Sequence, residues 1–272
     1  MFFIMSTSPS FSAYKKSPYR SIKHNTYFSV YDHLFSKFRN KKIVFIEIGV
    51  LAGGSLFMWR NFFGSKARII GVDMNPDAKK WEKYGFEIFI GSQSDENFWR
   101  NFREKIGKID IVLDDGGHTY DQQIITTEML LENIKDGGLL VIEDTHTSYM
   151  KGFGATKYSF INYTKNMIDK INRRFSKLSD DKNEKRIWSI EIFESIVAFC
   201  VNKKHSSLVS EPTDNGGKND NSIDYRYEDN QAIKDLEYIN KFLKYIPGFK
   251  FIIKQLKFFL LKVNSKSKIF FR

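Results

Sequence analysis

The sequence predicts an α/β chain with a doubly wound, mostly parallel sheet of seven strands. The last two strands form an antiparallel hairpin, and a helical basic tail follows. Three observations carry this. Short apolar runs rich in β-branched residues recur between positions 41 and 144. Amphipathic stretches of helical period separate them. Glycines and acids gather where the runs end, in EIGVLAGGS, LDDGGH and IEDTHTSY. Five β–α units in order imply parallel strands covered on both faces. Ligands of such sheets bind outside the carboxyl ends of the strands.

Residues 1–22 are rich in Ser, Lys and aromatics without a clear period, and read as a flexible N-terminus. After Thr26, the residues Tyr27, Val30, Tyr31, Leu34, Phe35 and Phe38 keep helical spacing. KKIVFIEIGV (41–50) reads as a buried strand and GGSLFMWRNFF (53–63) as a helix. ARIIGVD (67–73) is a second strand, and Pro76 suits the first position of a helix reaching residue 84. FEIFIG (86–91) is a strand, DENFWRNFREKI (95–106) a helix and IDIVLDD (109–115) a strand. Residues 121–135 form an amphipathic helix and GGLLVIED (137–144) the fifth strand. The long loop 145–158 favours a functional role over a plain connector. Residues 160–175 look helical, and IWSIEIFESIVAFCV (187–201) reads as two strands turning at Glu194 and Ser195.

The expected organisation is a main domain over 23–203, a flexible polar linker over 204–229 and a helical tail over 230–272, broken at Pro247 and Gly248. A chain of 272 residues with 42% hydrophobic content suffices for one large domain with an appendage. A single cysteine, Cys200, excludes an intramolecular disulfide and a cysteine-based zinc site, and suits a reducing compartment. No apolar stretch approaches a membrane span, and the opening MFFIM is too short for a secretory core. A cytoplasmic location is therefore expected.

The turn EIGVLAGGS (47–55) places Gly49, Gly53 and Ser55 where a helix N-terminus offers free N–H groups. Asp73 ends the next strand, in position to accept hydrogen bonds from ribose hydroxyls. A dinucleotide wants phosphate-cradling N–H groups without a nearby carboxylate, whereas a cationic sulfonium cofactor tolerates Glu47. That acid favours S-adenosylmethionine over a nicotinamide cofactor; a bare strand–helix turn is the bland alternative.

Strand ends four and five bring Asp114, Asp115 and His118 to the same edge as Glu143, Asp144 and His146. Converging carboxylates repel and take up protons unless a cation intervenes. All-oxygen donors favour Mg²⁺, Mn²⁺ or Ca²⁺ over zinc. Asp114 suits a cofactor contact or a helix cap, and Asp115 has a cap for the following helix as its alternative. His118, across two glycines from Asp115, suits proton acceptance from a hydroxyl held on a metal. His146 reads as a loop-stabilising residue, and His24 as a solvated histidine ahead of a helix.

KHNTYFSVYDHLF (23–35), EIGVLAGGSLFMW (47–59), GVDMNP (71–76), GSQSDENF (91–98), DDGGH (114–118) and EDTHTSY (143–149) carry a resemblance. Over about 23–203 the sequence resembles class I S-adenosylmethionine-dependent methyltransferases, specifically the metal-dependent sugar O-methyltransferases of macrolide biosynthesis, beside the cephalosporin hydroxylase group. The resemblance implies a Rossmann-like fold, Mg²⁺ held by Asp115, Glu143 and Asp144, and His118 as general base. It implies cofactor contacts at Glu47, Gly49 and Asp73, with Ser92 and Gln93 near the adenine. It also implies a sugar hydroxyl of a natural product or polysaccharide precursor as acceptor. Two departures stand out: Leu51 replaces a common glycine, and Ser92 a common acid. A non-catalytic, membrane-associated scaffold with the same fold is the competing reading, against which the intact acid and histidine set argues.

Net charge is +11, of which residues 241–272, with eight Lys, one Arg and no acid, contribute +9. Residues 249–263 form a basic amphipathic helix, which predicts either attachment to an anionic membrane surface at the inner face of the membrane or packing on the main domain or a second copy. No groove-reading or base-stacking motif accompanies the charge, so nucleic acid is not the expected partner.

Overall fold

The computed structural model describes residues 7–175, 178, 184–218, 225–243 and 245–271. They divide into two compact units, Met1–Pro212 and Thr213–Arg272. The linker reading over 219–224 lies outside the described residues.

The first unit is built on a seven-stranded sheet, β1 Val44–Ile48, β2 Arg68–Asp73, β3 Glu87–Ile90, β4 Ile109–Asp114, β5 Ile134–Ile142, β6 Ile187–Phe193 and β7 Ile196–Val201. Their spatial order is β3-β2-β1-β4-β5-β7-β6. The first five strands are parallel, and β7 pairs antiparallel with both β5 and β6. The chain order reverses between β1 and β4, which opens a crevice at their carboxyl ends.

Strand alternation sorts the core into two layers. Phe45, Ile69, Ile88, Leu113 and Val141 face one side. There they meet α1 Pro9–Lys15, α2 Tyr27–Phe35 and α3 Gly54–Phe63. Ile46, Ile70, Val112, Leu140 and Phe199 face the other side. That layer is covered by α4 Glu96–Ile106, α5 Tyr120–Leu130 and α6 Phe160–Asn172. The first layer is unusually aromatic: Trp59 is fully buried, with ring centroids 5.0 Å from Tyr31 and 5.1 Å from Phe45. Each such side chain removes 150–250 Å² from water at order of magnitude.

Several elements differ from the sequence expectation. Residues 9–15 are helical, because Ser8 caps the helix, Pro9 opens it, and Ser10 and Ala13 are buried. The segment Pro76–Tyr84 is 3₁₀ rather than α-helical. Helix α5 ends at Leu130, and β5 starts at Ile134 rather than 137. A register shift between Ile109 and Ile111 absorbs the extra residues of β5. A short helix, α7 Lys203–Ser206, closes the sheet region, and the compact unit extends to Pro212 rather than 203.

In the second unit, α8 spans Gln231–Leu243 and α9 spans Phe249–Val263, with Gly248 in the left-handed region before α9. Among the described residues, no helix is long and apolar enough to cross a membrane.

The crevice depends on Gly49. Its φ is +90°, and a Cβ there would lie 2.1 Å from the Asp115 carbonyl oxygen. Gly49→Ala is expected to lower stability by at least about 1–3 kcal/mol from backbone strain alone, read as a lower urea midpoint.

Candidate active site

Register places the acids. Ile48 of β1 lies beside Asp114 of β4, which lies beside Ile142 of β5. The ladder continues one residue further: Asp115 N–H donates to the Ile48 carbonyl and Glu143 N–H to the Asp114 carbonyl, both at 2.9 Å. Asp115, Glu143 and Asp144 therefore leave the sheet at adjacent points. Asp144 and His118 both take left-handed backbone angles, φ +53° and +59°.

That geometry groups one ligand atom each from Asp115, His118 and Asp144 within 4.8 Å of one another. Nε2 of His118 lies 3.4 Å from Asp144 Oδ2, while its buried Nδ1 has no hydrogen-bond partner among the described residues. The cap of α5 is Thr119, in a reciprocal capping box with Gln122, so Asp115 is free of that duty.

Glu143 stands apart from this group. It is fully buried, accepting from the Tyr31 hydroxyl at Oε1 and from Lys23 at Oε2, 2.8 Å away. The same ammonium donates to Asp115 Oδ2 at 2.6 Å, and the Lys23 side chain is only 2% exposed. The Tyr27 hydroxyl donates to Asp144. Burial works against a charged Lys23, but Asp115 and Glu143 outweigh it and hold its pKa well above the ordinary value. One ammonium does not balance all the carboxylates around it. Burial pushes the Glu143 pKa up to about 8, with Lys23 opposing.

Beside the acids lies a cavity of ≈ 370 Å³ lined by the β1 turn, the β2 end and the Asp115–His118 loop. Its size falls in the small-molecule range. Gly49, Ser55, Asp73 and Gln93 line it, as do Asp115 and His118. Asp73 Oδ2 also accepts from the Val50 and Leu51 N–H groups, at 2.8 and 3.0 Å, and so fixes the glycine turn. The segment Arg20–Ile22 lines the cavity as well. It is held close because Gly54 lacks a side chain: a Cβ there would lie 2.4 Å from the Tyr19 and Arg20 carbonyl oxygens.

Four expected cofactor residues are not among those lining the cavity. Glu47 is buried beneath the turn, accepting from Ser55 Oγ at 2.7 Å and Trp59 Nε1 at 2.9 Å. Asp114 accepts from the Gln93 amide, at 2.8 and 2.9 Å, and from Gly116 N–H. Gly53 packs against the Trp81 ring, and Ser92 accepts from Ser94 N–H. In each case a local partner captures the group. His146 bonds Ser195 Oγ at 3.0 Å through Nδ1, a loop contact.

Residues 46–145 match the family model described as a methyltransferase domain. The chain is 36% identical over 137 residues to 8-demethyl-8-(2-methoxy-alpha-L-rhamnosyl)-tetracenomycin-C 3'-O-methyltransferase of Streptomyces olivaceus, over 46% of this chain and 33% of that protein. It is 35% identical to mycinamicin VI 2''-O-methyltransferase of Micromonospora griseorubida, over 46% of this chain and 32% of that protein. The chain thus spans about a third of the length of the curated relatives it matches. The solved MycE methyltransferase of mycinamycin biosynthesis, in complex with Mg and SAH, superposes with a TM-score of 0.65 at 26% identity, covering 76% of this chain and 56% of that one. The chain therefore shares its fold with a protein solved with both groups bound.

The sequence reading missed Lys23, Tyr27 and Tyr31 as residues packed against this site. Both tyrosines lie on the apolar stripe of α2, where a hydroxyl leaves the period unchanged. A tyrosine with a buried polar end needs a partner, and that was the available signal.

Burial also pushes the pKa of Glu47 and of Asp114 up to about 7, from ordinary values of 4.5 and 3.8. For Glu47 the main opposition is Lys23; for Asp114 it is the Gly116 N–H and Gln93. Folded-state values above unfolded ones mean the folded chain binds more protons in that window, so this contribution to stability falls as pH rises through it. The urea midpoint should fall between about pH 5 and about pH 8, and Glu47→Gln should flatten the slope by up to one proton.

Proposed function

We propose that the chain is an O-methyltransferase that uses S-adenosylmethionine and a hard divalent cation, Mg²⁺, to methylate a sugar hydroxyl. The observation that carries this reading is the grouping of Asp115, His118 and Asp144, of which Asp115 and His118 line the glycine-turn cavity. The activities for which the relatives are named, O-methylation of rhamnosyl tetracenomycin and of mycinamicin, favour a glycosylated natural product as acceptor over a nucleotide sugar or a polysaccharide precursor.

The residues present fit both groups. Asp115 and Asp144 offer hard oxygens, with His118 beside them, as Mg²⁺ or Mn²⁺ requires. Glu143, expected as a third ligand, already has both oxygens engaged by Tyr31 and Lys23. Gly49, Ser55, Asp73 and Gln93 line the space for the nucleoside. When bound, the cofactor supplies an electrophilic methyl group, and the cation supplies Lewis acidity at the acceptor oxygen. His118 takes the hydroxyl proton at Nε2, and Asp144, 3.4 Å away, stabilises the resulting imidazolium. The Tyr27 hydroxyl fixes the Asp144 carboxylate. The Arg20–Ile22 segment limits water entry on one side of the cavity.

Purified chain with labelled S-adenosylmethionine, Mg²⁺ and glycosylated macrolide acceptors should yield labelled product. His118→Ala should lower kcat by about 10²–10⁴-fold while S-adenosylhomocysteine binding, followed by calorimetry, is retained. Asp144→Ala should lose Mn²⁺ binding in a spin-resonance titration. Full turnover in both variants refutes these roles, and binding of NADH in place of S-adenosylhomocysteine refutes the reaction class.

A further inference from the structure

The second unit stands outside the proposed chemistry, and its surface is unlike that of an ordinary soluble helix pair. Helices α8 and α9 bury Ile233, Leu236 and Ile253. Lys257 of α9 reaches Glu237 of α8 at 2.5 Å and lies 4.0 Å from the Tyr227 ring centroid. At 100° per residue, Ile253 and Leu260 form the inward line of α9. The next line, Ile252, Leu256, Phe259 and Val263, stays 52%, 44%, 59% and 51% exposed. Phe251 and Phe258 form a second exposed line, at 66% and 68%. Lys254 borders the Phe251–Phe258 line, Lys262 lies between the two lines, and Lys250 stands on the side of the helix opposite the aliphatic line. Contiguous exposed apolar surface of this kind marks an interaction site.

We infer that this face of α9 docks on an anionic lipid surface, with the helix lying in the plane of the interface. The charge decides the occupant. Residues 241–272 carry eight Lys and one Arg and no acid. A second copy would set +9 against +9, so self-association is opposed. A nucleic acid would use the lysines but not the aliphatic line. An anionic bilayer surface uses both, taking the two exposed apolar lines into the acyl boundary and the ammonium groups of Lys254 and Lys262 at the headgroups. The lysine stems reach outward from the apolar lines without burying their charges.

The test is co-sedimentation of the full chain with phosphatidylcholine vesicles, with and without phosphatidylglycerol. Binding is expected only to the anionic vesicles and weakens with salt. The double substitution Lys254→Gln with Lys262→Gln should lower the partition coefficient about 30-fold, at about fivefold per lysine. Leu256→Ser with Phe259→Ser should abolish binding at low salt. S-adenosylhomocysteine binding by all variants should stay unchanged, which separates loss of docking from loss of fold and from failure of the methyl-transfer reading. Equal pelleting with neutral vesicles, no pelleting at all, or a dimer in light scattering that Leu256→Ser with Phe259→Ser dissociates, overturns the inference.

Discussion

The ammonium of Lys23, set between the carboxylates of Asp115 and Glu143, is the contact on which the rest of the site depends. The sheet's own register forces Asp115, Glu143 and Asp144 out at neighbouring strand ends. Carboxylates so close in a partly dry space are costly unless cations or protons balance them. Lys23 supplies one positive charge from a segment on the far side of the glycine turn. It thereby ties the segment before α2 to the ends of β4 and β5, across sequence separations of 92 and 120. Tyr31 and Tyr27 complete the arrangement from α2, one hydroxyl for each of the two consecutive acids at the end of β5.

This division of labour separates two kinds of carboxylate. Glu47, Asp114 and Glu143 are fully or almost fully buried and satisfied by neighbouring donors. They hold the turn, the Gln93 side chain and the Lys23 segment in place. Asp115 and Asp144 remain partly accessible and face His118. Left-handed backbone at Leu51, His118 and Asp144 lies around this crevice. Non-glycine residues there carry local strain on the order of 1 kcal/mol or more each, held by the surrounding packing. The close-packed aromatic layer around Trp59, against Phe45 of β1, supplies that support.

The sheet-bearing unit and the Thr213–Arg272 unit answer to different physics. The former is organised by two packed layers and by hydrogen bonds to buried polar groups. The latter buries little and keeps aromatic and basic side chains on its surface. Its composition alone, strongly basic and without acids after residue 240, distinguishes it from the domain before it.

The sequence by itself determined the strand succession, the sheet class, the antiparallel closing hairpin and the edge at which the acids emerge. Hydrophobic period, glycine placement and the handedness of connections are local properties and can be read in order. Gly49, Asp73, Asp115 and His118, which come at or just after strand ends, line one cavity. Residues 9–15 escaped, since their order rests on burial of Ser10 and Ala13 rather than on a long periodic stripe. Only the tertiary structure decided which acids face inward. Glu47 meets Trp59 and Ser55, Asp114 meets Gln93, and Glu143 meets a lysine and a tyrosine distant in sequence. A carboxylate's direction is set by the nearest donor, and packing between separate elements, not local period, places that donor.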